Sequence, residues 1–402
     1  MKKVLSCRFC GASLSNVIHL GHHPHSDYFP ESIDVSIITY PLALCFCSNC
    51  TLYQLDYDLD THTMFNNEYL YDNSVNSSMH SYWANLAKEA SSYFSSRLDR
   101  EVLALDVGSN SGEFVHALDS NGFNVVGLEP SLQPHLIAKR LGRRSIHALF
   151  DSSFAEKNQF KFDLISFTNS FPHIPNPLET FNTALMCLKP DGIILIESPY
   201  SLSMLELGQY DQIYHQHMTY LNATSIKKLS ERFDCSIIGC MPSEAQNGSL
   251  AYFVSKKKVV REDKYTTSIL EQEAKFFENH WGNNLNFVDK VLSHRQYLRL
   301  SVESAKSKEI PVFCITAPAK GNTILNFCGL DQNDIIFATE KNTLKLGRFT
   351  PCSNIPIVSD DQIQLNKPSL GIVLGWNLFN VFTNKFKNTS ISLISPIKIH
   401  NQ

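Results

Sequence analysis

The chain has 402 residues, of which 43% are hydrophobic and 18% charged, and a formal net charge of −4. That length predicts two or three domains rather than one core. The balance of charge provides no general field for a nucleic-acid backbone, and without an apolar run of about 20 residues no membrane span is predicted.

The start, Met1-Lys2-Lys3-Val4-Leu5-Ser6-Cys7, lacks an apolar stretch behind its two lysines. No secretory signal peptide is therefore expected. A reducing, cytoplasmic setting follows, in which the 11 cysteines serve as thiols or metal ligands rather than disulfides. Two Cys-x2-Cys knuckles, Cys7-Arg8-Phe9-Cys10 and Cys47-Ser48-Asn49-Cys50, lie in the cysteine- and histidine-rich first segment. Each knuckle wraps two thiolates round one metal, and two knuckles close a tetrahedral sulfur shell with no open position for water. Cys7, Cys10, Cys47 and Cys50 are thus expected to hold a structural zinc ion, with Cys45 as a spare thiol. His22, His23 and His25 are expected at the surface or in turns.

A polar stretch near residues 71–83 leads into a helix-like segment, and a regular alternation begins. Residues 102–107, 124–128, 162–167 and 193–196 read as buried strands, the last following a Lys189-Pro190-Asp191-Gly192 turn. Helical patterns between them predict a doubly wound parallel sheet. Turn residues break the pattern at 243–248, and the basic run Lys256-Lys257-Lys258 reads as a solvated surface. Residues 261–306 have helical spacing, with Gly282 as their one strong breaker. A second strand–turn–helix unit starts at Val312, with further strand-like runs at 335–338, 355–358 and 371–374. The expected class is α/β in three parts, 1–70, 71–245 and 246–402.

The most informative turn is Asp106-Val107-Gly108-Ser109-Asn110-Ser111-Gly112, where a strand runs into a helix. Gly108 permits the turn and close backbone approach, and the helix start offers unpaired N–H groups. Glu129, at the end of the next strand, is placed to accept two ribose hydroxyls. A dinucleotide loop wants G-x-G-x-x-G for a diphosphate. Here Asn110 stands at the middle glycine and the spacing is G-x3-G, which suits S-adenosylmethionine (SAM), a cofactor without phosphate. Ala317-Pro318-Ala319-Lys320-Gly321-Asn322 has the strand–turn–helix form that cradles a diphosphate.

The ordered set of motifs resembles one family, the sugar C-methyltransferases of deoxysugar biosynthesis. The resemblance rests on the two knuckles, Tyr69-Leu70-Tyr71-Asp72-Asn73-Ser74, the run from Asp106 to Gly112, and Asn169-Ser170-Phe171-Pro172-His173-Ile174. It continues through Asp211-Gln212-Ile213-Tyr214-His215-Gln216-His217, Ala319-Lys320-Gly321-Asn322-Thr323, Lys345-Leu346-Gly347-Arg348-Phe349-Thr350-Pro351 and Gly375-Trp376-Asn377. It implies a zinc-binding domain, a class I SAM-binding methyltransferase sheet and a C-terminal Rossmann-like substrate domain. By the same resemblance Tyr71, His173, Tyr214, Gln216 and His217 fall at the active site, Asn169 falls beside the cofactor, and Lys320, Asn322 and Arg348 face a nucleotide-linked 4-keto-deoxysugar.

Carbon methylation beside a ketone needs a base for the proton and donors for the enolate oxygen. His217 is the expected base, with a pH dependence near 6.5, and Tyr71 and Tyr214 are the expected donors. Two departures stand out. The family carries Glu at the position of Gln216, and an amide can only hydrogen-bond. It also carries Arg at the position of Ala251. Methylation of oxygen or nitrogen, and a non-catalytic SAM-binding scaffold, are the alternatives at this level. Neither the sugar nor the oligomeric state is legible.

Overall fold

The computed structural model describes residues 1–59, 79–95, 101–243, 248–257 and 263–397. The N-terminal part contains β1 (Lys2–Lys3), β2 (Ser15–Pro24), β3 (Thr39–Phe46), β4 (Tyr53–Leu55) and β5 (Tyr57–Asp58). β2, β3 and β4 form an antiparallel meander, while β1 pairs with β5. Both faces of β3 are covered from Leu42 to Phe46, so the strand reads as a continuous apolar run rather than an alternation. Each cysteine knuckle closes by a backbone bond onto its first cysteine, Gly11 N to Cys7 O and Thr51 N to Cys47 O. Gly11 and Thr51 both take the left-handed conformation those turns require.

The middle part contains α1 (His80–Ser92), β6 (Val102–Val107), α2 (Glu113–Ser120), β7 (Phe123–Glu129), α3 (Leu132–Arg140) and β8 (Ser145–His147). It continues with α4 (Ser152–Lys157), β9 (Phe162–Thr168), α5 (Pro177–Cys187), β10 (Leu188–Pro199) and α6 (Ser201–Leu207). Then follow β11 (Thr219–Tyr220), α7 (Ala223–Glu231), β12 (Ser236–Ser243) and β13 (Ser249–Ser255). A seven-stranded sheet runs β12-β13-β10-β9-β6-β7-β8. Its β6 to β10 ladders are parallel, and β13 lies antiparallel to both β10 and β12. β6 lies between β7 and β9, so the winding reverses there. The carboxyl ends of these three strands border the crevice where open α/β sheets bind ligands. The break expected at residue 245 separates β12 from β13, which are paired strands of one sheet.

β11 does not join that sheet. It pairs with β4 and becomes the edge of the N-terminal sheet, whose order is β11-β4-β3-β2. Lys256, expected on a solvated surface, donates from Nζ to Leu185 O and Leu188 O at the end of α5. A cation there satisfies carbonyls that the helix leaves without an internal partner.

The polar segment forms two helices, α8 (Lys264–Glu278) and α9 (His280–Ser307). They part at Asn279, three residues before the expected breaker. Gly282 lies inside α9 because a side chain there would run into that of Asn279. The last part contains β14 (Val312–Ile315), α10 (Ala319–Cys328), β15 (Ala338–Thr339), β16 (Ile357–Val358), β17 (Ser369–Val373), α11 (Phe379–Phe386) and β18 (Ile391–Ile394). Its five-stranded sheet runs β16-β15-β14-β17-β18, with every ladder parallel. One apolar core joins all three parts: Leu44 and Phe46 of β3, Tyr210 and Ile213, Phe287 and Val291 of α9, and Ile324 and Leu325 of α10. No helix among the described residues is long and apolar enough to cross a membrane.

Candidate functional site

Cys7, Cys10, Cys47 and Cys50 bring their sulfurs within 4.8 Å of one another. The Cys7–Cys50 and Cys10–Cys47 pairs lie at 3.3 and 3.4 Å, and all four cysteines are free thiols. A tetrahedron of sulfurs round zinc at about 2.3 Å has edges near 3.8 Å, so the donor set fits a closed zinc shell. Cys45 stands outside the cluster.

At the crevice, Gly108 has φ +72°, and an added Cβ would lie 2.6 Å from Ser170 Cβ. The glycine expected to admit a cofactor therefore also admits the turn after β9, which Ser170 Oγ ties to Val107 O at 2.6 Å. Asn110, also left-handed, donates from its backbone to Glu129 Oε2 at 2.8 Å, and Ser131 N donates to Oε1 at 2.7 Å. Each carboxylate oxygen so keeps lone-pair capacity for one ribose hydroxyl, and the residues fit SAM. Asp106 is wholly buried, with Oδ1 accepting from Ser166 Oγ. Burial pushes its pKa up to about 7 against the pull of Ser166 and Thr168. Gly112 caps α2 in the left-handed conformation, and Arg143 bridges Ser111 O and Glu113 beside it. Asn169 is left-handed as well and donates its N–H to Glu197 O at 2.8 Å.

The turn after β9 also carries His173, and the loop 210–218 folds onto it. Met218 N donates to Pro172 O, and His173 Nδ1 donates to Gln216 O, both at 2.8 Å. The His173 and His217 rings lie 5.0 Å apart. His217 Nδ1 faces Gln212 O at 3.0 Å. A carbonyl only accepts, so Nδ1 carries the proton and Nε2 accepts from the Tyr214 hydroxyl at 2.7 Å. His217 is buried, while Tyr214 is partly exposed in front of it. Burial, helped by His173 and the Lys320 ammonium, drives the His217 pKa well below the usual imidazole value. Burial takes His173 down to about 4. A pH dependence carried by His217 would therefore lie below the expected 6.5. Tyr71 lies outside the described residues.

Gln216 is completely buried, and its surroundings were not legible in the sequence. Its Nε2 donates to Asp27 Oδ2 at 3.0 Å and lies 3.2 Å from His25 Nε2. Of the three histidines expected at the surface or in turns, His22 is exposed and His25 opens the turn closed by Tyr28 N, whereas His23 is buried in β2 against Leu20 O. Lys345, 4.5 Å above the Phe29 ring, offsets the burial that raises Asp27 to about 6.

The residues expected to face the substrate divide. Lys320 lies 3.7 Å from Asp211 Oδ2, which also accepts from Trp376 Nε1 at 2.8 Å, and its charge reaches His217. Asn322 is buried and donates to Ser26 O at 2.7 Å. Arg348 donates to Phe29 O and pairs with Glu31. Both therefore clamp the N-terminal segment 26–31. In the expected diphosphate cradle, Ala317 N donates to Glu340 Oε2 at 3.3 Å, and Lys345 Nζ lies 3.9 Å from the same oxygen.

Three family models match successive parts of the chain. Residues 7–65 match a zinc binding domain, 78–238 a methyltransferase domain and 244–395 the C-methyltransferase C-terminal domain. The C-methyltransferase NovU of Streptomyces niveus is 26% identical over 384 residues, 94% of this chain and 91% of that protein. The ubiquinone biosynthesis O-methyltransferase of Actinobacillus pleuropneumoniae serotype 7 is 25% identical over 131 residues, 27% of this chain and 56% of that protein. Among solved structures, the plantazolicin methyltransferase BpumL in complex with SAH covers 46% of this chain and 86% of its own, at 14% identity and TM-score 0.37.

Proposed function

We propose that this chain, whose three parts match a zinc binding domain, a methyltransferase domain and the C-methyltransferase C-terminal domain, is a SAM-dependent C-methyltransferase that methylates the carbon beside the ketone of a nucleotide-linked 4-keto-6-deoxysugar. The observation that carries the reading is the Tyr214–His217 pair beside His173, at the turn packed on the cofactor loop.

Glu129 and the backbone from Gly108 to Gly112 hold SAM, which supplies an electrophilic methyl group when bound. The remaining task is a carbon nucleophile. In the resting pair the Tyr214 hydroxyl covers the His217 lone pair. A ketone oxygen that takes over this hydroxyl uncovers Nε2. The C–H bond beside the ketone then breaks, its proton moves to Nε2, and its electron pair spreads onto the oxygen held by Tyr214. The carbonyl of Gln212 steadies the ring through Nδ1 as it becomes charged. The His173 ring lies 5.0 Å from that ring, its own Nδ1 fixed by Gln216 O.

Methylation of an oxygen or nitrogen held by a hydrogen bond donated from the Gln216 amide loses support. Both amide hydrogens already face Asp27 and His25.

The test is exchange in deuterium oxide with a panel of nucleotide 4-keto-6-deoxysugars. Deuterium should enter beside the ketone without methyl transfer, and His217→Asn should slow exchange by at least about 10²-fold while SAM still binds. Neither exchange nor a C-methyl product from any member would end the carbanion reading.

A further inference from the structure

Gln216 directly precedes the proposed base, and the Nε2 end of its side chain reaches the loop after β2. The orientation of this buried amide is determined by chemistry. An ionised Asp27 only accepts, and a neutral His25 whose Nε2 faces the amide accepts there too. Both hydrogens of Nε2 are therefore directed at the N-terminal loop. Oε1 is then left as a buried acceptor with no partner among the described residues. A buried acceptor without a donor is costly, by about 1–3 kcal/mol, and a substrate donor would remove that cost.

The loop that imposes this is itself held from the other side. Asn322 donates to Ser26 O, Arg348 to Phe29 O and Phe349 N to Pro30 O. The Lys345 ammonium sits against Phe29 and counters the Asp27 charge. The C-terminal part thus sets the position of Asp27, and Asp27 sets the amide.

We propose that Asp27, with His25, is a positioning residue for the reaction, orienting Gln216 so that Oε1 accepts a hydrogen bond from a hydroxyl or amino group of the substrate. This rests on the sugar reading above and narrows it: the substrate carries a donor near the reacting carbon. It also makes Gln216 intolerant of replacement by a carboxylate. Gln216→Glu would bring two buried acids to the 3.0 Å now bridged by the amide, and one of them would have to take up a proton.

The experiment compares Gln216→Glu, Asp27→Asn and the double variant Asp27→Asn/Gln216→Glu. In the double variant the amide and the carboxylate trade places. The amide, now on the N-terminal loop, donates across the same contact, and the single negative charge is kept. With the best sugar of the panel, kcat/KM of Gln216→Glu should fall about tenfold or more, and the double variant should recover most of the loss. SAM affinity by calorimetry should stay unchanged throughout, since Glu129 is untouched. Wild-type kcat/KM in Gln216→Glu, or a double variant no better than that single one, would overturn the proposal. If the wild-type chain methylates no member of the panel, the sugar reading fails separately. The thermal midpoints of the same variants then decide: recovery in the double variant supports the Asp27–Gln216 pairing, and simple additivity overturns it.

Discussion

Replacing Glu129 with alanine removes more than the proposed ribose partner. Its two oxygens also hold the N–H groups of Asn110 and Ser131, so the cofactor loop loses its anchor. SAM affinity should weaken by about 1–3 kcal/mol, and calorimetry showing an unchanged value would refute the placement of the ribose. At His217 the relevant quantity is its titration. Burial lowers the folded pKa well below the unfolded value near 6.5. The folded chain then binds fewer protons than the unfolded one between those values. The neutral ring contributes stability that is full above 6.5 and is lost as pH falls toward the folded pKa. The NMR shift of its ring proton should stay constant from pH 8 to 6. A titration at 6.5 or higher would contradict the Nδ1–H form on which the proposed base depends.

At the scale of elements, the zinc knuckles hold the meander whose β4 pairs with β11. β11 begins two residues after His217. Replacing both Cys47 and Cys50 with serine should abolish the one zinc per chain and loosen β2, β3 and β4, as structural zinc sites supply on the order of 10 kcal/mol. Metal analysis and hydrogen exchange check this, and zinc retained in full would sink the ligand assignment. β6 was legible because a parallel strand covered on both faces is a short apolar run bounded by turn residues. The loop from Asp106 to Gly112 was legible because its chemistry is local. Asp27 was not, because its partner lies 189 residues away and nothing in His25-Ser26-Asp27 signals it. The tasks of Asn322 and Arg348 were hidden for the same reason: a donor in a motif reads alike whether a ligand or a carbonyl of the same chain receives its hydrogen bond. The helix break at Asn279 was missed because a glycine signals weakness in a helix, whereas here it makes room for the residue that ends one.

Across the whole molecule, the segment 26–31 connects the loop 210–218, through Gln216, with the C-terminal part, through Asn322 and Arg348. Replacing Asn322 with alanine leaves the Ser26 carbonyl buried without its donor. The chain should lose about 1–3 kcal/mol of stability, and turnover should drop through the displaced segment 26–31; SAM affinity should not change. Denaturation and calorimetry together check it, and weakened SAM binding of equal size would point to general unfolding instead. The loan of β11 to the first sheet has a further consequence during synthesis. When β2, β3 and β4 leave the ribosome, the strand that covers their open edge lies more than 160 residues downstream. Until then β4 presents unpaired backbone groups, so the nascent chain is exposed to edge-to-edge association for the time needed to translate the intervening segment, roughly 10–30 s at about 5–20 residues per second. Metal captured early by the knuckles would hold the meander in register through that interval, which makes zinc supply during translation, rather than after it, the condition for a good yield of folded protein.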